Sequence, residues 1–384
     1  MQVYCDTAAT TKPYMEVLDA VVDTMDAFYG NPSSEYSIGT SAADMLRKAR
    51  HSIAADLGAK DSEIYFTSGA SEANNWAIRG AVDAGKKDGK NFVITSEFEH
   101  HSILNTLKAL SESDDVHPLY VRPDKDGYVD PADVAKLLDE YAGKVALVSI
   151  MAVNNEIGTN QPIRTIASIC QAHGVLFHVD ATQAIGHMDI DVSAYGMDMM
   201  SFSGHKFHGP RGIGALYIRS GVKIPNLIYG GKQERGARAG TENLPGIVGM
   251  ATALDLCKKS LNDDIECLEE VRDKIARELL TIDGAHLNGS LMAHAPGILN
   301  FTFDGVEGES LLLMLDSYGI CVSAGSACAT GSLEPSHVLR AIGLTKEQAM
   351  CSIRISFDEF ITDAEVDYVI DTIKKCVTIL RGAV

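Results

Sequence analysis

Short apolar runs alternate with amphipathic stretches through the first 220 residues, and this alternation is the feature that most limits the folds open to the chain. The longest run, residues 145–153, is apolar except for Ser149. Such a run is typical of a parallel strand buried on both faces and is too short to cross a bilayer. Strands joined by helices form a mainly parallel sheet with ligands at its carboxyl edge. The sequence therefore predicts an α/β fold.

The chain is long enough for two domains. Its 384 residues exceed what one hydrophobic core usually organises. A Gly-rich segment, residues 230–246, is followed by a helical pattern over residues 247–280, after which strand and helix patterns resume. We expect a large domain of residues 14–250 and a smaller α/β domain built from residues 1–13 and 251–384.

Charge and cysteine content exclude several classes of protein. The net charge of −19 disfavours nucleic acid as a partner, because phosphate binding needs a basic surface. No secretory signal opens the chain and no apolar run would span a membrane, so we expect a cytoplasmic protein without a membrane partner. The eight cysteines are scattered without ligand-like spacing, which disfavours a disulfide framework or a zinc site.

The loop at residues 201–214 surrounds one lysine, Lys206, with hydroxyls, histidines and glycines. A lysine that captures a carbonyl group needs a fixed position and neighbours that hydrogen-bond or shield it. Most lysines are solvated surface residues, so the loop alone leaves that interpretation open. Four further polar groups follow other apolar runs. They support the interpretation that Lys206 captures a carbonyl group.

Each of these four groups also has an ordinary structural explanation. Ser71 lies in a turn where a helix begins, which suits an anion or a plain helix cap. His100 suits stacking on a flat ligand, acid–base work or a structural role. Asn155 either holds an oxygen of a ligand or forms a turn. Asp180 and Gln183 either contact a ligand ring or cap a helix.

An aspartate followed by a lysine in this order fits a pyridoxal phosphate site, where the aspartate keeps the ring nitrogen protonated and the lysine bonds the aldehyde.

The motifs together carry a family resemblance. They are TSGASE (67–72), EHH (99–101), NNEIG (154–158), HVDATQ (178–183), SGHK (203–206), RAGTEN (238–243) and SAGSAC (323–328). The chain resembles the cysteine desulfurases, which belong to the class V aminotransferase branch of the fold-type I pyridoxal phosphate enzymes. The resemblance implies a large domain with a mainly parallel seven-stranded sheet, a smaller α/β domain, and a homodimer with active sites near the subunit interface.

The resemblance also implies a role for individual residues. Lys206 would bond the cofactor pyridoxal 5′-phosphate, Asp180 would contact its ring nitrogen, Gln183 its ring hydroxyl, and His100 would stack on the ring and assist proton transfer. The phosphate would be bound by Ala70, Ser71, Ser203, His205 and, from the partner subunit, Thr241. The substrate would be held by Asn155, Arg354 and Asn31, and Asn155 would also contact the cofactor. Arginine suits a carboxylate because its planar fork matches both oxygens.

Cys328 is predicted to receive sulfur. It lies in a small, polar, Gly-rich run that reads as an exposed loop, closer to the long-cysteine-loop desulfurases, whereas Cys321 and Cys351 are expected to be buried in apolar strands. The expected reaction converts L-cysteine to L-alanine and leaves a persulfide on Cys328. The persulfide would pass to an acceptor such as an iron–sulfur scaffold protein. No metal site is expected, apart from Cys328 as a candidate ligand of a shared iron–sulfur cluster.

Three alternatives remain open from the sequence. An aminotransferase of class V or a selenocysteine lyase would use the same fold. A sulfur or iron–sulfur scaffold protein would need no cofactor, and the scattered cysteine spacing speaks against it.

Overall fold

The computed structural model describes residues 1–324 and 334–382. The strands are β1 (Val3–Tyr4), β2 (Ile64–Thr67), β3 (Phe92–Ser96), β4 (His117–Val121), β5 (Val145–Met151), β6 (Leu176–Asp180), β7 (Met199–Ser203), β8 (Gly214–Ile218), β9 (Ala285–Leu287), β10 (Ile298–Phe303), β11 (Ile320–Cys321), β12 (Ser323–Ala324) and β13 (Ser352–Ser356). The helices are α1 (Met15–Ala27), α2 (Ser37–Asp56), α3 (Ala70–Gly85), α4 (His101–Ser113), α5 (Pro131–Glu140), α6 (Ile163–His173), α7 (Val192–Tyr195), α8 (Leu244–Leu279), α9 (Gly308–Ser317), α10 (His337–Ala341), α11 (Lys346–Met350) and α12 (Asp363–Gly382).

A seven-stranded sheet occupies the larger part of the molecule, as predicted. Its strand order is β2-β8-β7-β6-β5-β3-β4, and every pairing is parallel except those of β8 with its two neighbours. Every residue of β5 is buried, which confirms that the apolar run at residues 145–153 forms an inner strand. The parallel order brings the ends of β3, β5, β6 and β7 to one edge, and the polar motifs follow these ends.

A second, antiparallel sheet is formed by β12, β13, β10 and β9 in that order. The first strand of the chain does not join it but pairs in parallel with β11, matching Val3 with Ile320 and Tyr4 with Cys321. Two residues after β1, Asp6 forms a bridge to Ser356, at the end of β13. The beginning of the chain is thus held by its last quarter.

Helix α8 contributes to two hydrophobic cores. Its first half supplies Ile247 and Leu254 to the core beneath the seven-stranded sheet. Its second half supplies Ile275 and Leu279 to a core that also holds Val3 and the apolar residues of β10 and β13. The division that we propose, with a large domain of residues 14–250 and a small domain of residues 1–13 and 251–384, would fall inside this helix. None of the described helices is long and apolar enough to cross a membrane.

Two details differ from the pattern in the sequence. On α1 only one side of the helix is covered, and an apolar stripe stays exposed; its members are Met15, Leu18, Val22 and Met25, at 64%, 42%, 63% and 63%. Helical spacing shows that a helix is amphipathic but not what covers it. The expectation that Cys321 and Cys351 are buried in strands is wrong in part: both are partly exposed, and Cys351 ends α11 just before β13.

Candidate active site

The predicted residues converge on one central cavity of about 600 Å³. Asp180 is the last residue of β6, and Lys206 lies in the single turn Gly204–Lys206 that directly follows β7. His100 caps α4 after β3, and Ser71 lies in the first turn of α3 after β2. The volume lies within the roughly 300–1,000 Å³ that is usual for small-molecule sites. Chain segments distant in sequence therefore meet at the carboxyl edge of the sheet.

Lys206 contacts the N-terminal segment, residues 6–11, which crosses the cavity. Its Nζ donates to the carbonyl oxygens of Ala8 at 2.6 Å and Ala9 at 3.0 Å. Gln183 Nε2 also donates to the oxygen of Ala8, at 2.8 Å. The segment is fixed in turn by the Thr11 backbone N–H, which donates to the oxygen of His205 at 2.9 Å. The backbone of this segment therefore holds the lysine amine in the cavity.

Asp180 is almost fully buried and is oriented by three donors. Asn74 Nδ2 donates to Oδ2 at 2.7 Å. The backbone N–H and the hydroxyl of Thr182 donate to Oδ1 at 3.0 and 2.5 Å. Behind Asp180 the fully buried His178 contacts Ser149 and Ser201, and burial lowers its pKa to about 4. The neutral His178 therefore adds no positive charge beside Asp180.

His100 faces the same cavity and is fixed through one ring nitrogen. Its Nδ1 accepts the backbone N–H of Ser102 at 3.1 Å, and the Ser102 hydroxyl lies 2.8 Å from the same atom. Burial lowers the pKa of His100, and the nearby positive charge of Lys206 acts in the same direction. The ring is therefore neutral around pH 7.

A concentration of groups suited to an anion lies at one end of the cavity. Ala70 and Ser71 begin the 16-residue helix α3, whose first backbone N–H groups have no partner within the helix. Ser203 and His205 line the cavity beside them. Burial, and then the charges of Lys206 and Arg211, lower the pKa of His205 to about 4, so its ring is neutral at pH 7.

The close packing at this end requires a glycine. A Cβ on Gly214 would lie 2.5 Å from the oxygen of Phe202 and 2.7 Å from the Cα of Gly69. Both distances are shorter than side-chain contacts allow, so β8 can approach the turn before α3 only because residue 214 has no side chain.

The cavity is also lined by the nearly buried Arg354, from β13. Its Nη1 donates to the oxygen of Asn155 at 2.9 Å. Its Nη2 donates to Asp6 Oδ1 at 2.7 Å and Ser323 Oγ at 3.2 Å. Its Nε is buried and has no hydrogen-bond partner among residues 1–324 and 334–382. The guanidinium is thus fixed in place and still has a donor to offer.

The residues of the cavity fit pyridoxal 5′-phosphate. A lysine amine, a carboxylate, a flat histidine ring and a helix N-terminus with hydroxyls are the groups that its aldehyde, ring nitrogen, ring face and phosphate require. Asn74 Oδ1 is buried, belongs to a residue that lines the cavity, and has no hydrogen-bond partner within the described parts of the chain. Such an unpaired polar atom is expected beside a site that a polar ligand fills.

The cavity brings together ten of the thirteen residues predicted from the sequence. They are Ala70, Ser71, His100, Asn155, Asp180, Gln183, Ser203, His205, Lys206 and Arg354. Asn31 and Thr241 are exposed and do not line the cavity of their own chain, so their roles rest on the resemblance. Cys328 lies outside the described residues.

Several residues that line the cavity were not predicted: Asp6, Asn74, Thr182, Arg211 and Ser323. Of these residues, only Asp6 had a signal in the sequence: it lies in the small polar segment 6–11. A segment without bulky side chains does not pack as part of a hydrophobic core. Asn74 looks in the sequence like any polar residue of a helix.

Comparison with known proteins gives a consistent result. The family model for class-V aminotransferases matches residues 3–369. The cysteine desulfurase IscS of Clostridium botulinum is 45% identical over 379 residues, covering 98% of this chain and 94% of the relative. A solved NifS-like protein has a TM-score of 0.91 and 38% identity and covers 99% of this chain and 100% of its own. A structure titled SspA in complex with cysteine has a TM-score of 0.81 and 34% identity, covering 94% and 100%.

Proposed function

Because this chain belongs to the class-V aminotransferase family, and within it to the cysteine desulfurases, we propose that it converts L-cysteine to L-alanine and transfers the sulfur to Cys328. Its cofactor is pyridoxal 5′-phosphate, as in the family. The observation that carries the proposal is the meeting of Lys206, Asp180, His100 and Arg354, from four distant parts of the sequence, in one cavity. A binding protein for sulfur alone would not need a lysine and a buried aspartate in the same cavity.

We assign the cofactor to the middle of the cavity. Lys206 would hold its aldehyde end, Asp180 its ring nitrogen, Gln183 its ring hydroxyl and His100 its ring face. Ala70, Ser71, Ser203 and His205 would hold its phosphate. When bound, this cofactor supplies an electron-withdrawing ring that weakens the bonds at the α carbon of an amino acid.

Arg354 would bind the carboxylate of L-cysteine. Its guanidinium is already oriented by Asn155, Asp6 and Ser323, so little conformational freedom is lost when the substrate arrives. Asn155 lines the same cavity and would offer its side-chain amide. By binding the carboxylate, the guanidinium of Arg354 would determine which end of the amino acid points toward Lys206.

Lys206 would act as the base that removes the proton from the α carbon. The oxygens of Ala8 and Ala9 give its amine a defined position when it is not bonded to the cofactor, and they accept the N–H groups it then carries. A base held in one place contributes more to a proton transfer than one that must be ordered first.

Cys328 would accept the sulfur. Its thiolate forms a bond to the sulfur of the substrate while the carbon–sulfur bond breaks. The electron pair of the broken bond stays with the carbon, which takes up a proton to give alanine. Cysteine and a thiol thus become alanine and a persulfide, with no outside oxidant or reductant. We infer that the persulfide then passes to an acceptor such as an iron–sulfur scaffold protein.

We further propose that the enzyme is a homodimer. Thr241 is exposed on its own chain, in the loop that Arg238 fixes through two bonds to Glu72, at 2.8 and 3.0 Å. A residue held in position but facing away from its own cavity is available to a second copy. The exposed apolar stripe on α1 is surface that a second copy would cover.

We place the enzyme in the cytoplasm. Every cysteine within the described residues is free, and four of these thiols are buried. This use of cysteine as a small apolar residue is usual in a reducing compartment.

The function is tested with purified enzyme, L-cysteine and a thiol reductant. Equal amounts of alanine and sulfide should form without any keto acid. Alanine formation that requires a keto acid would identify an aminotransferase instead, and a much higher rate with L-selenocysteine would identify a selenocysteine lyase. Absence of the yellow absorbance of the cofactor would favour the scaffold protein.

A further inference from the structure

The side chains of Asn74 and Ser102 connect Asp180 and His100, two of the residues that we assign to the cofactor ring. We propose that Asn74 and Ser102 position Asp180 and His100. Asn74 is fully buried, and its Nδ2 donates to Asp180 Oδ2 at 2.7 Å and to Ser102 Oγ at 2.9 Å. Ser102 Oγ lies 2.8 Å from His100 Nδ1. We call this chain of contacts the Asn74–Ser102 bridge. The inference rests on the proposed function, since it concerns how that site works.

The direction of each hydrogen bond in the bridge follows from its partners. A carboxylate only accepts, so the Asn74 atom that faces Asp180 is the nitrogen. The same NH₂ group donates to the Ser102 hydroxyl. That hydroxyl has received one hydrogen bond and has its own proton left, so it donates to His100 Nδ1.

The backbone fixes the state of His100 independently. The N–H of Ser102 points at His100 Nδ1 from 3.1 Å, and a backbone N–H can only donate. Nδ1 therefore carries a lone pair. In the neutral ring the proton must then be on Nε2, because each neutral imidazole has one protonated nitrogen.

A single tautomer limits what His100 can do. With the proton on Nε2, the ring can donate toward the cavity from that atom but has no lone pair there to accept a proton. His100 is thus a hydrogen-bond donor in the resting enzyme, and the removal of the α proton falls to Lys206. Ser102 and Asn74 act through His100 and Asp180, so they are positioning residues.

Replacement of Ser102 tests the bridge through the pH profile. In Ser102→Ala the backbone N–H remains, but Nδ1 loses the donor that stabilised the neutral ring. The pKa of His100 should rise, and the acid limb of kcat/KM should move to higher pH by about half to one unit. The groups that act on His100 are unchanged by this variant; they are Asp180, Lys206, His101 and His337. A profile that superposes on the wild type would overturn the proposal.

Ser111→Ala is the matched control. Ser111 is an exposed residue of the same helix, and its hydroxyl donates to the oxygen of Lys108. The control should keep the wild-type pH profile. If Ser102→Ala and Ser111→Ala shift the profile equally, the effect belongs to the helix and the bridge is rejected.

The tautomer is measured directly by ¹⁵N NMR of the histidine-labelled holoenzyme, with His100→Gln identifying the signals. Wild-type His100 should show an unprotonated Nδ1 and a protonated Nε2. A proton on Nδ1 would overturn the proposal. This measurement does not depend on turnover, so an enzyme that failed to act on cysteine would disprove the proposed function and leave this test standing.

Asn74 is tested by combining variants. Asn74→Ala should change the pKa of His100, because the Ser102 hydroxyl loses the donor that orients it. In the Ser102→Ala background the same change should vanish, since both residues act along one path. If the changes in the His100 pKa from the two single variants simply add in the double variant, the two residues act independently and the bridge is rejected.

Discussion

Asp6 and Arg354 form an ion pair inside the cavity, with 2.7 Å between Oδ1 and Nη2. The side chain of Arg354 is 7% exposed and that of Asp6 is 20% exposed, so water screens the pair only weakly. The cation that we assign to the substrate therefore already has one carboxylate neighbour. A second carboxylate must bind beside the first and against its repulsion.

This geometry predicts that Asp6→Asn strengthens carboxylate binding. The amide has the shape of the carboxylate, and Asn155 and Ser323 still hold the guanidinium. Loss of one negative charge should lower the KM for L-cysteine about fivefold, corresponding to about 1 kcal/mol. Inhibition by L-alanine should strengthen similarly. Asp88→Asn, which changes an exposed carboxylate outside the cavity lining, is the control. A KM that rises would mean that the charge of Asp6 is needed to position Arg354.

Lys206→Ala should remove the covalent attachment of the cofactor. Borohydride reduction of the wild type should label the peptide that contains Lys206, because its amine lies inside the cavity. The variant should show neither the label nor the absorbance of the attached cofactor. Lys223→Ala and Lys232→Ala, which change exposed lysines, should show both. Label on either of those residues would disprove the assignment.

Cys328→Ser should stop sulfur transfer without disturbing binding. Cofactor and L-cysteine should still bind, since Lys206, Asp180 and Arg354 are unchanged. Alanine and sulfide production should fall at least 100-fold, because a serine hydroxyl ionises far less readily than a thiol with a pKa of roughly 8.5. Cys321→Ser and Cys351→Ser should keep near-normal turnover. Normal alanine release from the Cys328 variant would contradict the persulfide mechanism.

Thr241→Ala should weaken cofactor binding without changing the assembly. Size-exclusion chromatography should show a dimer for both proteins. The loss of one hydrogen bond to the phosphate should raise the dissociation constant of the cofactor about fivefold, as expected for about 1 kcal/mol. Thr281→Ala, which changes an exposed threonine just beyond the end of α8, serves as the control. A monomer with full activity would exclude a shared site.

Glu359→Gln should lower stability around pH 6. Glu359 accepts the Tyr14 hydroxyl at 2.5 Å and lies 3.5 Å from the buried His208 Nε2. Burial alone would raise the pKa of Glu359, but the contact and charge of His208 and the hydrogen bond from Tyr14 together outweigh burial and lower the pKa to about 2. A lowered pKa stabilises the fold above the ordinary value of 4.5, and this contribution is lost as the pH falls toward 2.

Urea unfolding of the holoenzyme at several pH values measures this contribution. The variant should lose about 2 kcal/mol at pH 6 and show a smaller difference from the wild type at pH 3. The pKa of His208 is raised, so its share of the stability should fade as the pH increases above its ordinary 6.5. Glu270→Gln, on an exposed glutamate, should follow the wild type throughout. Equal losses at pH 3 and pH 6 would contradict the ionic contribution.

Local patterns predict a mainly parallel sheet with polar groups at its carboxyl edge, whereas the seven strands and most of the cavity residues come from the family resemblance. Apolar runs mark the strands, and in a parallel sheet the residues that follow those runs must share an edge. Asp180 and Lys206 can therefore be placed together from these runs alone. Placing these two residues together needs no information from segments distant in the sequence.

Contacts between distant segments leave no such pattern. Asp6 reaches Arg354 because β1 pairs with β11 and Asp6 itself bridges Ser356, and nothing near residue 6 indicates this. Asn74 lies on the face of α3 that meets Asp180, but helical spacing does not reveal which neighbour a buried face will touch. For the same reason the stripe on α1 could be recognised as apolar, whereas its exposure in the single chain could not.

The pairing of β1 with β11 also has a consequence for synthesis. Tyr4 leaves the ribosome first, but its partner Cys321 is not yet made. At about 5–20 residues per second, the first strand waits roughly 15 to 60 s before it can pair. Throughout that time residues 6–11 lack the anchor that the pairing of β1 with β11 provides. A truncated translation product is thus expected to be inert however well its large sheet has folded, because catalytic competence is acquired only when the two ends of the polypeptide meet.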